Sequence, residues 1–143
     1  MNANQKISAC ILGTILVLAG SVAAQDVVII ANKSLPLSQM SSAEMREIFL
    51  GTRSRFGDGS RAVPVVLKGG PVHEVFLHKH IGDTPDEFRV RWRKLVFTGQ
   101  GSMIRELTSE SALIEYISAT PGAIGYVSRL ADGAPVKVIS VLQ

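Results

Sequence analysis

The sequence predicts an α/β domain, a three-layer sandwich with a mainly parallel sheet, on three observations. Short β-branched runs alternate along the chain with stretches of helical periodicity. The first run, Asp26-Val27-Val28-Ile29-Ile30-Ala31-Asn32, is almost continuously apolar, as a strand covered on both faces requires, and it is expected near the sheet's centre. The helical stretches open on cap residues and close on glycine, so strand and helix are divided by chemistry as well as by period.

After a loop over 33–37, Ser41 and Glu44 form a capping-box pair, and Met40 and Met45 stand where a hydrophobic staple needs them. The helix should run from Ser42 to Leu50 with Met45, Ile48 and Phe49 inward, and Gly51 ends it. Gly57-Asp58-Gly59-Ser60 is a turn by composition. A second strand follows over 62–67, its proline confined to the strand's start or to an edge. Lys68-Gly69-Gly70 then leads to Pro71, which suits a first helical turn, and Val72, Val75, Phe76 and Lys79 keep a helical spacing up to Gly82. Thr84-Pro85-Asp86-Glu87 opens another helix, with Phe88, Trp92 and Leu95 as its buried stripe. A loop over 98–102 precedes a last helix from Ser109, carrying Leu113, Tyr116 and Ile117 to a stop at Thr120-Pro121-Gly122. Strands over 123–127 and 136–141 close the chain, which contains no internal repeat.

Residues 1–24 read as a secretory signal peptide: a cationic start at Lys6, an apolar run from Ile7 to Ala19, and small residues up to Ala24. The run is shorter than the roughly 18–20 residues that span a bilayer, so no stable membrane span is expected. The reading places a mature chain, 25–143, as a single domain in the periplasm. Cys10 loosely fits a lipoprotein box, but most of the apolar run follows it. Without Cys10 no thiol remains, so no disulfide contributes and an ordinary apolar core must hold the domain. The 119 residues after the signal carry 14 basic and 12 acidic side chains, a balance that gives no reason to expect nucleic acid as a partner.

Catalytic signatures are missing. There is no Gly-x-Ser-x-Gly elbow, and Glu44, Glu47 and Glu74 fall where capping and surface pairing account for them, so no enzyme and no catalytic residue are expected. His73, His78 and His80 lack the i, i+3 or i+4 spacing of helical metal ligands, so neither a metal nor another cofactor is expected. Arg89, Arg91, Arg93 and Lys94 read as the solvated face of the helix that buries Trp92. The best candidate site is the loop Lys68, Gly69, Gly70, Pro71, Val72 and His73, because amides at a helix start attract anions. The same glycines and proline also serve simply to turn the chain from strand to helix.

The order of these motifs resembles the second lobe of a type 2 periplasmic solute-binding protein, in particular the phosphate-binding component of ABC transporters. The pieces are the opening strand to Asn32, Glu44-Met45-Arg46-Glu47-Ile48-Phe49-Leu50-Gly51, the turn Gly57-Asp58-Gly59, the loop from Lys68 to Phe76, the Trp92 helix to Phe97-Thr98-Gly99, and Pro121-Gly122-Ala123-Ile124-Gly125-Tyr126-Val127. The resemblance implies an exported lobe that contacts phosphate or a similar oxyanion, with hydroxyls from Ser34 and Ser102 added to the Lys68–His73 loop. Two-lobed members close on their ligand, whereas this chain has sequence for one lobe. Where they carry arginine and a serine-glycine-threonine run, it has Lys68-Gly69-Gly70-Pro71-Val72, without hydroxyls or arginine's fork. Weak oxyanion binding for ABC-type transport is one expectation, with a second copy of the chain covering the missing half. The other is an accessory protein whose lobe docks another envelope protein with no small ligand.

Overall fold

The computed structural model describes residues 26–143; the signal-peptide reading of 1–24 and the fate of Cys10 lie outside the described residues. In chain order the elements are β1 (Val28–Ala31), β2 (Gln39–Ser41), α1 (Ser42–Phe49), β3 (Val63–Leu67) and α2 (Pro71–Phe76), which continues as a π-helical segment, Leu77–Ile81. Then come α3 (Pro85–Phe97), β4 (Arg105–Leu107), α4 (Glu110–Ala119), β5 (Ala123–Val127), β6 (Lys137–Val138) and β7 (Ser140–Leu142). Among the described residues no helix is long and apolar enough to cross a membrane.

The main sheet has the order β4-β3-β5-β1-β6. β3 pairs in parallel with β4 and β5, while β1 pairs antiparallel with β5 and β6. Four of the five strands therefore point one way, and the sheet is mainly parallel as expected, but β1 is the reversed strand. It is interior rather than central. The continuous apolar run of β1 reports burial on both faces, which says nothing of strand direction. Pro64 is tolerated in an interior strand because pairing with β4 begins only at Val65.

Two short strands, β2 and β4, were not legible in the sequence, and the expected strand over 136–141 divides. Lys137 and Val138 join the main sheet, whereas Ser140–Leu142 pairs in parallel with β2 as a separate ribbon. The buried Ile139 sits between them and donates its N–H to the Ile29 carbonyl at 2.9 Å.

The helix after β3 buries His73, Phe76, Leu77 and Ile81, with Val72 and Val75 only half-buried and Lys79 exposed. The expected stripe through Lys79 is thus corrected. Beyond Phe76 the turn widens to i→i+5 spacing, closed by the Gly82 N–H on the Leu77 carbonyl at 2.7 Å, and the buried face shifts to Ile81. Lys79 instead pairs with Asp26.

Phe49, Phe76 and Tyr126 form the aromatic centre of the core: Phe76 stacks on Tyr126 at 3.9 Å and meets Phe49 edge-on at 4.8 Å. Trp92 is buried as expected, and its indole N–H donates to the Phe49 carbonyl at 3.0 Å. Gly122 (φ +78°) is irreplaceable locally, since a Cβ there would lie 2.2 Å from the Arg61 carbonyl oxygen.

Candidate functional site

The loop Lys68–His73 leaves the sheet at the C-terminal end of β3 and enters α2. The Lys68 N–H is used, donating to the Leu107 carbonyl at 2.9 Å. Among the described residues the N–H groups of Gly69, Gly70, Val72 and His73 meet no acceptor, and Pro71 has none to offer. Gly70 adopts φ 95°, ψ 173°, which aligns the entry to the helix. A Cβ built on Gly69 or Gly70 meets nothing within 4 Å, so the loop is an open surface and not a closed cradle. The Lys68 side chain is exposed and makes no ion pair among the described residues.

His73 contributes a backbone donor only. Its ring is buried between Phe88 and Tyr126, with Nδ1 2.5 Å from the Tyr126 hydroxyl. That hydroxyl also accepts the Leu67 N–H at 3.0 Å, which ties the ring pair to the end of β3. Burial, and then the Arg89 charge, push the imidazole down to about 4. Burial pushes the Tyr126 phenol up. His73 is neutral near pH 7 and lends the loop no positive charge.

Ser34 and Ser102 do not join this loop. β1 runs opposite to β3, so Ser34, which follows it, emerges at the N-terminal end of β3; there its N–H donates to Asn32 Oδ1 at 2.9 Å. Ser102 precedes β4, which is parallel to β3, and so reaches that same far end. Strand direction separates both serines from Lys68 by the length of the sheet.

The sequence reading missed the group that does stand at the C-terminal edge. Glu110, at the start of α4, accepts the Ser128 N–H and, at 3.0 Å, its hydroxyl. A fixed carboxylate thereby occupies donors just past β5, and Glu74 adds a second acidic group in the first turn of α2. No sequence signal relates Glu110 to Ser128, eighteen residues apart. Among the described residues no group of three or more His, Cys, Asp or Glu is placed to hold a metal ion.

No family model matches the chain, and no curated protein matches it in sequence. Solved structures do. A Clostridium perfringens protein with bound phosphate, assigned as a phosphate ABC transporter substrate-binding protein, superposes with a TM-score of 0.64 at 15% identity, over 80% of this chain and 44% of that one. PstS from Borrelia burgdorferi gives 0.58 at 15% identity over 80% and 46%. An ABC-type phosphate transport receptor from Vibrio cholerae gives 0.52 at 13% identity over 80% and 45%. The chain spans less than half the length of the structures it matches, and identities this low speak for the fold alone. In architecture the chain is therefore similar to just under half of each of these phosphate ABC transporter proteins, a likeness of fold.

Proposed function

We propose that this is an exported, non-enzymatic solute-binding lobe that holds phosphate or a similar oxyanion weakly at Lys68, Gly69, Gly70, Val72 and His73, in the service of ABC-type transport. The observation that carries the reading is the run of unpartnered amides beside Lys68 at the C-terminal end of β3, in a fold whose Clostridium perfringens example holds phosphate. Helix-start amides and one lysine supply the right charge, at about 0.3–1 kcal/mol per wet contact. Glu74 and Glu110 oppose it. The expected phosphate dissociation constant is no tighter than about 1 mM, and it weakens as salt rises. An NMR titration of the purified protein with phosphate should shift the amides of residues 69–73, and Lys68→Ala should reduce the affinity. Micromolar binding would contradict the open geometry, and unmoved amides over 69–73 would reject the site.

The same edge is proposed to face another chain, a second copy or an envelope protein.

A further inference from the structure

At the N-terminal end of the sheet, remote from the oxyanion loop, lies a groove of about 470 Å³. Its walls include Arg53 from the segment after α1, Arg61 ahead of β3, Trp92 of α3, Met103, Arg105 of β4 and Tyr116 of α4. No aspartate, glutamate or lysine lines it. Arg53 is held by Glu44 and Glu47, at 3.7 and 3.3 Å. Arg61 and Arg105 have no carboxylate partner among the described residues, and residues 1–25 contain neither aspartate nor glutamate. Two arginines without an ion-pair partner among the described residues therefore line this groove.

Their setting suits a carboxylate. The Arg105 guanidinium carbon lies 5.0 Å from the Tyr116 ring centre, a cation–π contact, and no carboxylate among the described residues takes its N–H groups. Beside it Met103 is 61% exposed, and at the end of α3 Phe97 is 83% exposed. Arginine, tryptophan, tyrosine and methionine are the residue types enriched at the centres of protein interfaces, and lysine, aspartate and glutamate are depleted there. The groove has that composition. It is open to solvent, with Arg61 and Arg105 exposed and Arg53 half-buried, so it lacks the enclosed polar anchors of a small-molecule site.

We infer that this groove docks an acidic segment of a partner protein, with carboxylates on Arg61 and Arg105 and an apolar side chain against Met103. The inference is independent of the oxyanion reading, since the two surfaces occupy opposite ends of the sheet. The probe is a fluorescein-labelled Glu-Glu-Leu repeat peptide, with a Lys-Lys-Leu peptide of equal length as control, read by anisotropy and by NMR shift mapping on the unmodified protein. The acidic peptide alone should bind, weaken as salt rises, and shift the amides of 100–105 and 51–54 and the Trp92 indole N–H. Arg61→Glu with Arg105→Glu should lower its affinity by about tenfold or more while melting stays unchanged, and should let the basic peptide bind. Shift mapping needs no variant, so a misfolded double variant leaves the test intact. The inference is overturned by equal binding of both peptides, by shifts confined to other surfaces, or by absence of binding. Self-association mapped to the groove, or binding of anionic lipid vesicles in place of the peptide, would overturn it as well.

Discussion

His73 is a histidine placed beside a candidate anion site whose side chain belongs to the core. Among the described residues its ring hydrogen-bonds the Tyr126 hydroxyl alone, and the burial of that ring disfavours its charged form. The folded-state pKa is lowered from 6.5 to about 4, so between those values the unfolded chain carries the extra proton. The stability that His73 contributes is whole above pH 6.5 and is lost as pH falls towards 4. Melting temperature measured across that window should fall as acid is added, and His73→Gln, whose amide can hydrogen-bond the tyrosine hydroxyl without titrating, should flatten the fall. A slope unchanged in the variant would assign the acid sensitivity to other groups.

Among the elements, the two capping pairs recognised in the sequence reach different ends. Thr84 and Glu87 complete the reciprocal box, each side chain accepting from the other's backbone at 3.2 and 2.8 Å. Ser41 accepts the Glu44 N–H at 3.1 Å, but Glu44 turns to Arg53 and the return bond is not made. Helix α3 has two buried residues, Phe88 and Trp92, and it is pinned to α1 by the indole bond to the Phe49 carbonyl. Trp92→Ala removes the bond and a large buried ring together. It should cost about 3–5 kcal/mol, a large share of the 5–15 kcal/mol that stabilises a typical domain. Little soluble folded protein is the expected result, checked by yield and thermal melting; an unchanged melting curve would contradict the packing of α3.

At the scale of the molecule, the two ends of the sheet differ in character. The end bearing Lys68, Glu110 and Ser128 is polar, and none of the exposed large apolar residues, Val90, Val96, Phe97, Met103, Val138 and Leu142, belongs to its loops. Any association through that edge lacks an apolar driving force, so it should be weak and salt-sensitive. Sedimentation velocity over a concentration series should show a monomer passing to a dimer only at the highest concentrations, with the dimer lost on adding salt. A monomer throughout would leave an envelope protein as the proposed partner of that edge, and a tight, salt-resistant dimer would place the contact on the apolar side chains instead.

The sequence by itself determined the class of the fold, the four helices, the three strongest strands and the burial of Met45, Phe49 and Trp92. These follow from apolar period, caps and stops, which are interactions within a few residues. Only the tertiary structure decided that β1 runs against its neighbours and that 136–141 serves two sheets. It also decided that a π turn moves the buried stripe from Lys79 to Ile81. The candidate site was legible as far as Lys68–Gly70, where glycine and lysine follow a strand. Ser34 and Ser102 were misplaced because a loop's end of the sheet depends on strand direction, and direction is fixed by pairing between distant segments. Glu110 with Ser128, His73 with Tyr126 and Arg105 with Tyr116 went unread for the same reason: each pair is chosen by packing across the fold and leaves no mark in local sequence.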